Sequence, residues 1–216
     1  MNLIVLYEDN HLIAVYKPAG VLAQPDETHD EDLMTAVKKY LKEKYKKPGN
    51  VFLGLAHRLD RPVSGIVLFA KTSKGASRLS AQFREAAIEK IYYAVVRGRF
   101  PEKKGMLVNY LVKDANKKKA FEGEGKRAEL SYEVVKSSDK YSLLKIKLHT
   151  GKFHQIRAQL SLIGFPIVGD VKYGYKEPLP DKSIALCESS ISFKLATANE
   201  LKKIEIPLPL EWNKYI

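Results

Sequence analysis

Two short apolar runs open the chain. Leu3 to Tyr7 and Leu12 to Tyr16 read as two short strands joined by the polar turn Glu8-Asp9-Asn10-His11. Lys17-Pro18-Ala19-Gly20 breaks that pattern, and a loop runs on to about Asp30. From Asp30 the period changes. Leu33, Met34, Val37, Tyr40, Leu41 and Tyr45 recur at helical spacing, with acidic residues before them and lysines after, an order that suits the helix dipole. The opposite face, Lys38, Lys39, Lys42 and Lys46, reads as solvated, and Pro48-Gly49-Asn50 ends the segment. Two apolar runs, Val51 to Leu55 and Ile66 to Ala70, read as buried strands. Ser73 to Ala87 reads as a helix with Ser73 as its cap, Glu89 to Arg99 as a long strand, and Pro101 to Gly105 as a turn. Lys113 to Arg127 is polar and reads as an exposed loop or loose hairpin. Glu129 to Val135 and Tyr141 to His149 alternate like an antiparallel pair, and Phe153 to Ile163 reads as a helix stopped by Gly164-Phe165-Pro166. Ser183 to Phe193 and Lys203 to Ile206 are expected as late strands. With no internal repeat and no break in composition, the pattern predicts one α+β domain over residues 1–216, a mixed, mostly antiparallel sheet flanked by helices.

Composition changes the picture in one respect. An apolar share of 45% over 216 residues is ordinary and sufficient for a sizeable core. Thirty-seven Lys and Arg against 25 Asp and Glu leave a net charge of +12, which points to a polyanionic partner, nucleic acid before membrane surface. No apolar run approaches the roughly 18 residues of a spanning helix. Met1-Asn2-Leu3-Ile4 lacks the basic start and long apolar stretch of a signal peptide. The single cysteine, Cys187, has no internal partner for a disulfide, and a reducing cytoplasm is the expected setting.

Chemistry is concentrated in two places. His57-Arg58-Leu59-Asp60-Arg61-Pro62-Val63-Ser64-Gly65 follows the first apolar run, putting a histidine, two arginines and an aspartate at a strand end. Pro62 and Gly65 are explained by a turn; the density of His57, Arg58 and Asp60 is not. A kinase catalytic loop would need a glycine-rich phosphate loop and an Asp-Phe-Gly that are missing from the chain. A serine hydrolase could use Ser64, but Pro-Val-Ser-Gly is not a nucleophile elbow. A lone carboxylate, as nucleophile or base steered by arginines, fits best. Thr150-Gly151-Lys152-Phe153-His154-Gln155-Ile156-Arg157 is the second cluster, where a strand gives way to a helix. Read as helical, His154 and Arg157 share a face, with Phe153, Ile156 and Leu160 toward the core, so that Arg157 could lean toward a carboxylate from another element.

These blocks, together with Lys17-Pro18-Ala19-Gly20, Lys90-Ile91-Tyr92 and Gly164-Phe165-Pro166-Ile167-Val168-Gly169-Asp170, resemble the RluA-type pseudouridine synthases in order and rough spacing from about Leu3 to the last strands. The resemblance implies that Asp60 is the catalytic aspartate, Tyr92 (rather than its neighbour Tyr93) the active-site tyrosine, and Arg157 the arginine paired with the aspartate. It implies that Arg58 probes the RNA where a base is flipped out, and that His57, Arg61, Lys152, His154 and Gln155 line the substrate-binding blocks, His57 and His154 as supporting residues. Ile167 would supply an apolar wall. Two departures stand out. Lys152 and Phe153 occupy positions where many relatives have Arg and a small polar residue. The chain also begins at the catalytic domain, without the N-terminal RNA-binding domain that many relatives carry. RNA selection is then expected to fall on the catalytic domain or on a structured target.

The implied chemistry is the isomerisation of uridine to pseudouridine in ribosomal or transfer RNA. The bond from ribose to ring nitrogen breaks, the base turns, and carbon 5 rejoins the sugar. Nothing is oxidised and no group is lost, so no cofactor or metal is expected. A carboxylate near the anomeric carbon is a familiar tool for glycosidic bonds, and a close arginine keeps it ionised in a dry pocket. Tyr92 could stack on the flipped uracil and help remove the proton from carbon 5, while Arg58 offsets part of the few-kcal/mol cost of unstacking. The rival expectation is a catalytically idle RNA-binding or ribosome-assembly protein on the same fold. A monomer is the default.

Overall fold

The computed structural model describes residues 2–198 and 200–215. Two compact units divide the chain, one of Met1–Ile88 with Ser190–Ile206, the other of Glu89–Ser189 with Pro207–Ile216.

In the first unit β1 (Ile4–Glu8) pairs antiparallel with β2 (Leu12–Lys17). Asp9 Oδ1 accepts from the backbone N–H groups of His11 and Leu12 and so closes the turn between them. Helix α1 (Leu33–Lys44) follows, capped by Asp32, whose side chain accepts from the Thr35 N–H at 2.9 Å; Leu33, Val37 and Leu41 form its buried stripe. The acidic residues thus precede the helix and one of them caps it, while Lys42 and Lys44 occupy the last turn. Of the expected strand Val51 to Leu55 only β3 (Gly54–Leu55) pairs, and it does so with the end of β4 (Ser64–Ala70). β4 also pairs antiparallel with β2, and all seven of its residues are buried. Helix α2 (Ser73–Arg84) is capped by Thr72, not Ser73, since the Thr72 hydroxyl accepts from Gly75 N–H.

The second unit is built on an antiparallel sheet. β5 (Glu89–Arg97), β6 (Lys104–Asp114), β7 (Lys119–Glu122), β8 (Lys126–Ser137) and β9 (Tyr141–Leu148) pair in the order β5-β9-β8-β6-β7. The lysine-rich stretch expected as a loop or loose hairpin contains the β6–β7 hairpin. Asp114 Oδ1 caps its turn by accepting from Lys117 N–H. Helix α3 (Gln155–Leu162) packs over this sheet, where Leu111, Ala120, Ala128, Ala158 and Tyr173 form a small core. β10 (Leu186–Lys194) begins in this unit and ends in the first, where it pairs with β11 (Leu201–Glu205).

The first unit's core joins Leu12, Ala14, Ile66, Leu68, Leu79, Ile191, Phe193 and Ile204. Phe193 is fully buried and meets Tyr7 edge-on at 6.3 Å. Phe193→Ala is expected to cost about 3–5 kcal/mol, by lost transfer energy plus a cavity that β10 and β2 cannot close. Denaturant unfolding would read this as a lower midpoint with unchanged slope. The fold class is therefore α+β, with helices flanking mostly antiparallel sheet.

Candidate active site

In the first unit, residues 56–63 carry the chain from β3 to β4, and backbone bonds hold them. Val63 N–H donates to Asp60 O at 3.0 Å, and Gly20 N–H donates to Arg61 O at 2.8 Å. Arg61 returns the bond through Nε to Gly20 O and pairs with Asp30 at 2.7 Å, so its guanidinium ties two loops together at the surface. Beneath them lies Lys17. Its side chain is fully buried at the end of β2, and Nζ donates to the carbonyls of Pro18, Val21 and Arg61 at 3.0, 2.8 and 3.2 Å. Gly20, at φ 85°, allows the chain to wrap around that ammonium. Burial pulls the Lys17 pKa down to about 7; the charge of Asp60 opposes this shift and that of Arg61 adds to it. A buried ammonium is thus the hub from which the Asp60 turn hangs.

His57 serves the same scaffold. Its Nε2 accepts from Leu68 N–H at 3.0 Å, and its ring stacks on Phe83 with centroids 5.0 Å apart. Leu59 is buried, Asp60 half-buried, and Arg58 exposed. The turn therefore presents Arg58 outward and sets Asp60 between core and solvent.

In the second unit, Thr150 to Arg157 is organised by Gln155. Its Oε1 accepts from the Thr150 hydroxyl and from Lys152 N–H, and its Nε2 donates to Glu129 O and Gln159 Oε1. Buried and so bonded, Gln155 fixes the turn before α3, including the half-buried Lys152. His154 departs from expectation. It is not on the helix with Arg157 but precedes it, in the left-handed region at φ 51°. There its ring stacks on Phe153, and Nδ1 meets the Tyr173 hydroxyl at 3.0 Å. That hydroxyl also accepts from Ala120 N–H at 2.7 Å.

Arg157 is buried and forked onto Asp170, Nε to Oδ2 at 2.7 Å and Nη2 to Oδ1 at 2.9 Å. Its guanidinium also lies 5.0 Å from the centre of the Tyr173 ring. Asp170 reaches this place through Gly169, at φ 86°, where a Cβ would stand 2.7 Å from Leu179 Cγ and 2.8 Å from Ser183 O. Only glycine fits there, which accounts for the second glycine of the Gly164 to Asp170 block. Ile167 is fully buried and bridges to Val96 on β5.

Tyr92 projects from β5 on the side opposite Tyr93. It is buried, and its hydroxyl donates to Glu188 Oε2 at 2.5 Å. Glu188, on β10, has no exposed surface. Burial pushes its pKa up to about 7, against the ammonium of Lys90 and the hydrogen bond from Tyr92, both of which lower it. Burial lowers the pKa of Lys90, and the Glu188 charge opposes that. Sequence reasoning does not single out Glu188, meets Lys17 only as part of a motif without a role, and does not see Asp170 as the partner of Arg157. A signal existed for each: a lone carboxylate inside the run Ile184 to Ser189, a lysine closing the run Leu12 to Tyr16, and an aspartate behind a glycine that tolerates no side chain.

The chain matches the family model for RNA pseudouridylate synthases over residues 11–162. It is 32% identical to ribosomal large subunit pseudouridine synthase D of Borreliella burgdorferi, over 79% of this chain and 54% of that protein. It is also 32% identical to an RNA pseudouridine synthase of Aquifex aeolicus that carries no assigned role, over 95% of this chain and 69% of that one. The chain thus spans about half to two-thirds of the length of these relatives. In fold it is similar to human RNA pseudouridylate synthase domain containing 4, with a TM-score of 0.81 at 20% identity, covering 97% of this chain and 90% of that one. The chain belongs to the RNA pseudouridylate synthase family, and its similarity to the ribosomal large subunit enzymes places it among the RluA-type members.

Proposed function

We propose that this protein converts one or more uridines of a structured RNA, ribosomal or transfer, to pseudouridine. The observation that carries this reading is the family match over residues 11–162, which takes in the Asp60 turn, Tyr92 and the Thr150 to Arg157 block together. Asp60 supplies the essential carboxylate, and Arg157, held in orientation by Asp170, supplies a fixed positive charge to the same reaction. Tyr92 stacks on the flipped base, and Arg58, exposed on the Asp60 turn, fills the space that base leaves. Lys152 contacts RNA phosphate and Ile167 walls the base. His57, Arg61, His154 and Gln155 act as positioning residues, consistent with the backbone, ring and carboxylate partners they hold. The protein works as a monomer in the cytoplasm and takes RNA as its partner. No helix among the described residues is long and apolar enough to cross a membrane.

The test is tritium release from RNA labelled at carbon 5 of uridine, drawn from cells lacking the gene. Release by the wild-type protein supports the isomerase, and fractionating the RNA names the substrate. Binding without release from any fraction would replace this reading with an idle RNA-binding protein. The charge of +12 adds a second expectation. RNA affinity should drop roughly 10³-fold between 50 and 200 mM salt if about six phosphates are neutralised. A flat salt response in a filter-binding titration would exclude a phosphate-led interface.

A further inference from the structure

Glu188 is a carboxylate inside the apolar start of β10, and nothing in the roles assigned so far uses it. A charge in such a place costs several kcal/mol unless paired. A glutamine would offer Tyr92 the same acceptor oxygen without that cost. Three observations say what the carboxylate is for. Its Oε2 accepts the hydrogen bond of the Tyr92 hydroxyl, so the phenol's proton already points at the carboxylate. It is closed off from solvent altogether, so its proton exchange runs through the groups around it. Lys90, two residues before Tyr92 on β5, supplies the compensating positive charge. The Lys90 Nζ lies 3.5 Å from where a Cβ on Gly151 would stand, which sets it against the turn of the Thr150 to Arg157 block.

We propose that Glu188 is the proton acceptor behind Tyr92 in the isomerisation. This rests on the reading of the chain as a pseudouridine synthase in which Tyr92 faces the target base. Once carbon 5 has joined the ribose it still bears its hydrogen, and the ring holds a double bond between N1 and C6. The Tyr92 phenolic oxygen takes the carbon 5 proton while its own hydroxyl proton passes to Glu188 Oε2. The pair of the C5–H bond becomes the C5=C6 double bond, and the N1=C6 pair moves onto N1, which takes one proton from solvent. Glu188 then returns its proton through Tyr92 to solvent, so one proton is gained and one released. Tyr92 starts and ends as a neutral phenol and never has to exist as a phenolate. A pKa near 7 lets the carboxylate both accept and return the proton at neutral pH. Glu188 acts through Tyr92 and is a positioning and relay residue.

The experiment is single-turnover isomerisation by the full chain of RNA carrying either hydrogen or deuterium at carbon 5 of uridine. Wild type, Glu188→Gln, Glu188→Asp, Tyr92→Phe and the double variant Tyr92→Phe/Glu188→Gln are compared. Glu188→Gln keeps the hydrogen bond but cannot take a proton. It should slow product formation roughly tenfold to hundredfold and raise the deuterium isotope effect from near unity to several, because removal of the proton becomes rate-limiting. Adding Glu188→Gln to Tyr92→Phe should cost nothing further, since the two act as one unit. Glu188→Asp should recover part of the rate with an intermediate isotope effect. A wild-type rate and isotope effect in Glu188→Gln, or losses that multiply in the double variant, overturn the relay and leave the synthase reading standing. Should Glu188→Gln not fold, a slowed Glu188→Asp with a wild-type isotope effect overturns it equally. A wild-type protein that makes no pseudouridine from any RNA removes both readings together.

Discussion

Asp60→Ala is expected to fold, bind RNA and make no pseudouridine. The loss in rate should be at least about 10³-fold, the scale seen when an essential nucleophile or base is deleted. Folding should survive because the turn does not depend on the Asp60 side chain alone. The Val63 N–H to Asp60 O bond is backbone, the Gly20 and Arg61 bonds are untouched, and Lys17 keeps its three carbonyl acceptors. Asp60→Asn sharpens the result, since it preserves shape and hydrogen-bonding capacity while removing the charge. If the carboxylate is what the reaction needs, Asn should be as inactive as Ala. Tritium release measures activity, filter binding measures RNA affinity, and thermal unfolding within a few degrees of wild type certifies the fold. An inactive Ala variant that is also unfolded would make Asp60 a structural residue.

What the sequence made legible follows from where its signals were local. β8 and β9 show apolar and polar residues in alternation because one face of each meets a core, and β2 reads as an apolar run because it is buried on both faces; all three lie within a residue or two of expectation, except at the start of β8. β6 escaped for the opposite reason. Met106, Val108 and Tyr110 are exposed while Leu107 and Leu111 turn inward, so both faces of the strand are apolar and the period of two disappears. The cap of α2 was misplaced by one residue because Thr72 and Ser73 both carry a hydroxyl, and only the backbone decides which precedes the first turn. Val51 to Leu55 has the apolar run of a buried strand, but within it Gly54 and Leu55 are the residues that pair, with Ala70 and Phe69. The candidate site divides in the same way. Motif residues were legible because the chemistry is dense within a few positions. The roles of Lys17, Glu188 and Asp170 were not, because each turns on a partner far away in the chain: Arg61, beside the nearer Pro18 and Val21, for Lys17, Tyr92 for Glu188 and Arg157 for Asp170.

That last pair allows the structural role of Arg157 to be separated from the catalytic one proposed for it. Arg157→Met should cost about 3–5 kcal/mol, because it leaves Asp170, whose side chain is 1% exposed, without the fork that satisfies it. For a chain of this size that is a fall in Tm of about 10 °C. Arg157→Lys should fare only partly better, since an ammonium presents a point charge where Asp170 meets two parallel N–H groups. Neither variant can say whether activity is lost with the fold or with the charge. Arg157→Met combined with Asp170→Leu can. Replacing both members of a buried pair with apolar groups removes the unpaired charge and should restore most of the stability lost in the single variant. If Arg157 served only to hold α3 against Asp170, tritium release should return along with the Tm. If its charge is also needed by the reaction, the double variant should be stable, bind RNA and remain as inactive as Asp60→Ala. The second outcome is the expected one, because the reading proposed above gives the Arg157 guanidinium a part in the reaction that a well-packed methionine cannot take over.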